Sequence, residues 1–147
     1  HQPVLVESYL PGREFTAGVV GNGADARVIG VMEVVFRPSV RRIYSYENKQ
    51  DYKNRVEYVN TTGELFDKCA RLALRVWEVT ASRDAGRIDL RLNEAGEPEF
   101  IEINPLAGLN LHDSDLPILA RLNGMDFTGL IAAIMQAAEK RMCMKEV

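Results

Sequence analysis

Apolar residues along this chain alternate with polar ones in some stretches and recur every three or four positions in others, so the period separates strands from helices. Ile88, Leu90 and Leu92 are apolar while Arg87, Asp89 and Arg91 are polar, and Ile101 and Ile103 alternate with Glu102 and Asn104. Each run predicts a strand with one face for a core and one for chemistry. Between them Asn93-Glu94-Ala95-Gly96-Glu97-Pro98 has the composition of a short hairpin connection, which sets the two polar faces side by side. Upstream, Val4-Leu5-Val6 reads as a first strand and Pro11-Gly12 as a turn. Glu14 to Val20 reads as a strand joined through Gly21-Asn22-Gly23 to a longer one near Ala26 to Phe36, an antiparallel meander. Residues 37–60 are polar and aromatic without a clean period, apart from a strand-like stretch near Arg42 to Tyr44. A long irregular loop of this kind is often functional.

Helical periodicity begins after Thr61-Thr62-Gly63-Glu64, which has the spacing of a capping box, with Leu65, Cys69, Leu72, Val76 and Val79 at helical intervals. Trp77 on this helix is read as core. A second helix is predicted over Leu116 to Leu122, stopping at Asn123-Gly124. A third starts at Asp126 and buries Leu130, Ile131, Ile134, Met135 and Ala138. Strands in hairpins mixed with helices predict an α+β fold, an antiparallel sheet covered by helices.

The 147 residues fit a single domain, and 46% hydrophobic content is enough for a core. No run is long enough to span a membrane. The net charge of -3 argues against nonspecific nucleic-acid or anionic-membrane binding, although Arg37, Arg41, Arg42, Lys49, Lys53 and Arg55 form a local basic stretch. Cys69 and Cys143 support neither a disulfide framework nor a cysteine zinc site, and an intracellular, cytoplasmic setting is the expectation. His1-Gln2-Pro3 leads directly toward a strand without an initiator Met or signal-peptide regions, so the numbering is expected to begin inside a longer protein.

The chemistry concentrates in Gly86-Arg87-Ile88-Asp89 and Glu102-Ile103-Asn104-Pro105. Glu102 and Asn104, two residues apart on a strand, project the same way about 6.5 to 7 Å apart. With Asp89 from the neighbouring strand they make an oxygen-only set suited to magnesium holding a nucleotide phosphate. The competing interpretation is a solvated sheet face. Asn104-Pro105 ends the strand abruptly, and Leu106-Ala107-Gly108-Leu109-Asn110 follows as a loop whose glycine permits close backbone approach to a ligand.

Four motifs in order resemble the carboxy-terminal part of D-alanine-D-alanine ligases of the ATP-grasp superfamily. They are Val6-Glu7-Ser8-Tyr9-Leu10-Pro11-Gly12-Arg13-Glu14-Phe15-Thr16, Tyr44-Ser45-Tyr46-Glu47-Asn48-Lys49, Gly86-Arg87-Ile88-Asp89, and Glu102-Ile103-Asn104-Pro105-Leu106-Ala107-Gly108-Leu109. The resemblance runs from Val4 to about Ala138 and implies an ATP-grasp carboxy-terminal subdomain. It implies that Glu7, Ser8, Tyr9 and Leu10 bind and flank adenine, that Glu14 accepts the ribose hydroxyls, and that Lys49 reaches the phosphates. By the same resemblance Asp89, Glu102 and Asn104 hold magnesium or manganese. It also implies that Arg87 and the Gly108 N–H face the tetrahedral oxyanion and that Ser114 binds the carboxylate of the attacking amino acid.

The implied reaction uses ATP to convert a carboxylate to an acyl phosphate, which an amine then attacks, and the implied pathway is cell-wall biosynthesis. The implied partners are small amino acids and the amino-terminal and central lobes of the same polypeptide, with a homodimer left open. The chain departs from the pattern in three places. One residue is extra between Gly108 and Ser114, Asp115 stands where an apolar residue is common, and Gln50 follows Lys49 where a tyrosine is usual. These departures fall on substrate positions and leave the amino acid open. With about half a nucleotide site, this chain alone is expected to be inactive. The alternatives are a noncatalytic nucleotide-responsive or assembly module, and an ATP-grasp ligase for another amino acid or a dipeptide.

Overall fold

The computed structural model describes residues 3–4, 6–36 and 56–143. Among them, β1 (Glu14–Val20), β2 (Arg27–Phe36), β3 (Val56–Asn60), β4 (Ala85–Leu92) and β5 (Pro98–Asn104) form one sheet in the spatial order β3-β2-β1-β4-β5. Every ladder is antiparallel. The expected β1-β2 hairpin forms across Gly21-Asn22-Gly23, where Gly21 has φ +110° and a short 3-10 turn spans Gly23–Asp25. The β4-β5 hairpin also forms as expected, closed by Asn93, whose side-chain Oδ1 accepts the N–H groups of Ala95 and Glu97.

Two strand expectations meet a different outcome, and a third is not tested. Val4 and Val6 lie outside any strand and are 73% and 87% exposed, because both neighbours of β1 are already taken by β2 and β4. Val56–Asn60, inside the stretch read as an irregular loop, is a strand that pairs with the outer half of β2. The strand-like stretch at Arg42 to Tyr44 lies outside the described residues.

Helix α1 (Gly63–Val79) covers one face of the sheet. Its buried stripe is Cys69, Ala73 and Trp77, packed on Phe15, Ala17, Val19, Val31, Ile88 and Leu90, while Val79 at its end is 77% exposed. Trp77 is core as expected, and its ring N–H donates to the Gly21 carbonyl at 3.0 Å. Burial pushes the Cys69 thiol up to about 11, which keeps it protonated and inert. The capping box does not form. Thr61 is drawn into the sheet, its N–H donating to Val31 at 2.9 Å, so Thr62 becomes the N-cap and makes no side-chain bond to the helix.

Helices α2 (Asp115–Leu122) and α3 (Phe127–Cys143) meet at 111° and cover only part of the opposite face. Leu116, Ala120 and Leu130 bury against Val20 there. The approach depends on glycines in adjacent strands: a Cβ on Gly18 would lie 2.8 Å from Leu119 and one on Gly30 would lie 2.2 Å from Asn123. Met135, expected to be buried, is 64% exposed, because α3 turns Leu130 and Ala137 inward instead. No single helix among the described residues is long and apolar enough to cross a membrane.

The far end of α3 is tied to the sheet by a bidentate bond from Arg141 to Asp84, with Nε 3.0 Å from Oδ1 and Nη2 2.7 Å from Oδ2. Asn22 joins them, donating to Asp84 and to the Ala137 carbonyl. Asp84 is held below the usual carboxylate range, chiefly by the Arg141 hydrogen bond. A carboxyl with a depressed folded pKa stabilises the fold above its unfolded value, near 3.8, and loses that contribution as pH falls through the folded value. Asp84 has φ +66°, a conformation asparagine also tolerates, so Asp84→Asn isolates the charge. Urea denaturation is expected to show a lower midpoint for the variant at pH 7 and convergence with the parent as pH falls below about 3.8.

Candidate active site

Period-two alternation along β4 puts Ile88, Leu90 and Leu92 against α1 and turns Arg87, Asp89 and Arg91 to the other face. The antiparallel register then pairs Arg87 with Asn104 and Asp89 with Glu102. Directly opposed residues share a face, so the four polar residues predicted to meet do meet. Maintaining that phase takes a bulge: Asp89 pairs with Glu102 but Leu90 pairs with Phe100, which leaves Ile101 as an extra residue on β5. Ile101, expected on the core face, is therefore 46% exposed, whereas Ile103 packs on the core as expected.

On the other side of β4, the register sets Thr16 opposite Asp89 and Glu14 opposite Arg91. The Thr16 hydroxyl donates to Asp89 Oδ1 at 2.8 Å, and Thr16 is only 4% exposed. Asp89 Oδ2 faces Arg87 Nη2 at 3.4 Å. Arg87 Nη1 is held more closely by Asp115 Oδ2 at the start of α2, while Asp115 Oδ1 accepts the Tyr58 hydroxyl at 2.8 Å. A chain of polar contacts thus links three strands and α2, from Thr16 on β1 through Asp89 and Arg87 on β4 and Asp115 on α2 to Tyr58 on β3. It forms part of a groove of about 540 Å³ whose lining also includes Glu14, His112 and Asp113.

Burial raises the Asp89 pKa, and Glu102 adds to the rise through its charge and a hydrogen bond, against the lowering by Thr16 and Arg87. Two carboxylates held together by sheet register repel, and a divalent cation relieves that repulsion. Among the described residues no three His, Cys, Asp or Glu side chains form a metal cluster. The candidate set is instead two carboxylates and the amide oxygen of Asn104, and hard cations accept such oxygens. The donor chemistry fits magnesium or manganese.

Gly108 and Ser114 also come together. A Cβ on Gly108 would lie 2.6 Å from Ser114 Oγ, so a side chain at that position would displace the Ser114 hydroxyl. Ser114 Oγ accepts the Asn110 N–H at 3.0 Å, which winds this loop onto the start of α2 beside Asp115. Glu7, Ser8 and Tyr9 are exposed and Leu10 is half-buried, and none of them lines the groove. Lys49 lies outside the described residues, as does the rest of its motif. Sequence reasoning did not single out Thr16, Tyr58 or His112. Thr16 carried one usable signal, its two-residue spacing from Glu14 along a strand.

The family model described as "D-ala D-ala ligase C-terminus" matches residues 1–136. This chain belongs to the D-alanine-D-alanine ligase family. A D-alanine-D-alanine ligase of Aquifex aeolicus is 32% identical over 133 residues, which cover 90% of this chain and 43% of that protein. The ligase structure from Coxiella burnetii superposes with a TM-score of 0.72 at 18% identity, over 95% of this chain and 35% of that one. A Bacillus anthracis D-alanine-D-alanine ligase complexed with ATP gives 0.67 at 18% identity, over 96% of this chain and 42% of that one. At these identities the superpositions establish the shared α+β fold. The chain spans about two fifths of the length of the D-alanine-D-alanine ligases it matches in sequence, for example 41% of the Cupriavidus metallidurans protein.

The pairing of Asp89 with Glu102 carries a stability consequence. A carboxyl whose folded pKa is raised binds its proton more tightly folded than unfolded, so it erodes stability as pH climbs from about 3.8 through the folded value. Glu102→Gln removes one source of that rise. In cation-free buffer the variant is expected to match the parent near pH 3.5 and to exceed its denaturation midpoint at pH 7, as read by urea titration.

Proposed function

We propose that this chain forms the nucleotide- and cation-facing part of an ATP-dependent ligase that joins a carboxylate to D-alanine or a related small amino acid. The observation that carries the proposal is the register that sets Arg87 against Asn104 and Asp89 against Glu102 beside a groove containing Glu14, in a chain of this family. Asp89, Glu102 and Asn104 would hold magnesium or manganese, which when bound offsets phosphate charge during phosphoryl transfer. Glu14, at the groove wall, accepts the ribose hydroxyls of ATP. Glu7, Ser8, Tyr9 and Leu10 contribute to the adenine side, and Lys49 adds an ammonium toward the phosphates.

Two steps follow. Phosphorylation by ATP turns the first carboxylate into an acyl phosphate, whose carbonyl carbon the acceptor amine attacks; the tetrahedral oxyanion then collapses and phosphate leaves. Arg87 and the Gly108 N–H supply the charge and hydrogen-bond donor that oxyanion requires, and a lost donor of this kind typically lowers kcat about 10²- to 10³-fold. The Ser114 hydroxyl keeps its proton to donate, since its oxygen serves as acceptor toward Asn110, and the acceptor's carboxylate is its proposed partner. Enclosure of the phosphates falls to amino-terminal and central lobes of the same polypeptide, which exclude water from the reacting groups. The proposed setting is cell-wall synthesis in the cytoplasm, with a homodimer as a further proposed assembly.

Two measurements test this. A polypeptide carrying this chain together with those lobes is expected to release ADP in a D-alanine-dependent coupled assay, and the 147-residue chain alone is expected to show no turnover. In the longer polypeptide Asp89→Asn or Glu102→Gln should lower turnover by at least about 10²-fold with an unchanged circular dichroism spectrum. Near-parental rates in either variant would remove the cation assignment.

A further inference from the structure

Arg87 is contested. Its two terminal nitrogens face two different carboxylates, Asp89 on its own strand at 3.4 Å and Asp115 at the start of α2 in a closer contact, and its Nε is buried without a partner among the described residues. The two acids are not equivalent. Asp89 has Oδ1 committed to Thr16, so Oδ2, the oxygen facing Arg87, is the one left for other ligands. Asp115 uses both oxygens within the network, one for Tyr58 and one for Arg87. Its place in the first turn of α2 also favours its charge, because the N–H groups there present positive potential.

A guanidinium and a divalent cation compete for the same carboxylate oxygen, since each is attracted to it and repels the other. We propose that Asp115 is the positioning residue of this site, drawing Arg87 away from Asp89 so that Asp89 Oδ2 stays open to a divalent cation and the remaining Arg87 donors stay open to the reacting oxygen. Without Asp115, Arg87 settles on Asp89 and closes the cation site from within. Tyr58 holds Asp115 in place from the opposite side of the groove, so β3 is coupled to a cation site three strands away. This inference rests on the ligase reading of Asp89 and Arg87, and it assigns a role to the acid that stands where the family commonly has an apolar residue.

The test is a double-mutant cycle read by electron paramagnetic resonance of Mn²⁺ titrated into the protein, without reference to turnover. Asp115→Asn is expected to weaken Mn²⁺ binding about tenfold, a coupling within the range for residues in one network. In an Arg87→Met background the same substitution should change affinity less than about twofold, because the group it acts through is gone. Asp115→Glu should recover most of the loss. Tyr58→Phe, which leaves every charge in place, should weaken binding about twofold and serves if Asp115→Asn does not fold. An equal loss in both Arg87 backgrounds, or unchanged affinity in Asp115→Asn, overturns the inference and leaves the ligase reading standing. Absence of Mn²⁺ binding to the parent protein overturns both.

Discussion

The phase of one strand pair is the constraint on which the site depends. Side chains on a strand alternate faces, so a slip of one residue between β4 and β5 would turn Glu102 and Asn104 toward α1 and bring Ile103 to the groove. Three features hold the phase. The apolar side of β4 buries against α1, the Asn93 turn fixes the hairpin, and the single bulge at Ile101 lets the acidic end of β5 stay aligned with Asp89 while the outer end pairs differently. The cost of the arrangement is visible in Asp89, a carboxylate placed in a poorly solvated position beside another carboxylate. A fold selected for stability alone would not hold those groups together.

The network around Arg87 distributes that cost. Each oxygen of Asp89 faces a different donor, and Asp115 places a second acid on the guanidinium from a separate helix. Ionic groups of this kind add little net stability to a partly buried site, and removing one partner leaves the other poorly solvated. Their value lies in position: Thr16, Asp89 and Arg87 come from adjacent strands, Asp115 from a helix and Tyr58 from the outer strand β3, and the polar contacts define how those elements meet.

Much of this was readable from residue order. Alternation in Arg87 to Leu92 and Ile101 to Asn104 was enough to place the two polar faces together, because a half-buried antiparallel hairpin leaves few other solutions. The helices were legible for the same reason, although Val79 and Met135, apolar positions of the predicted stripes, face solvent. What sequence did not supply came from pairing and competition at a distance. Thr61 meets the N-cap pattern, yet its N–H is taken by Val31 from a strand thirty positions away. Val4 and Val6 have strand propensity, but both sides of β1, the strand they lead into, are taken by β2 and β4. Ile101 has the alternation of a core residue, but the bulge shifts it outward. Asp115 was noticed only as a departure from a pattern, because its partners Arg87 and Tyr58 lie 28 and 57 positions away along the chain and nothing local announces them.

The two missing side chains under α2 reach further than their size. Gly18 and Gly30 set how close that helix lies to the sheet, with Leu119 and Asn123 seated on bare backbone. Because α2 is only eight residues long, its height at those glycines also bears on where its opening residue, Asp115, meets Arg87. The entry to α2 therefore has a remote adjustment available. A methyl group added beneath the helix would press on Leu119 or Asn123 and shift the end that carries Ser114 and Asp115, although Asp89, Glu102 and Asn104 sit on other strands.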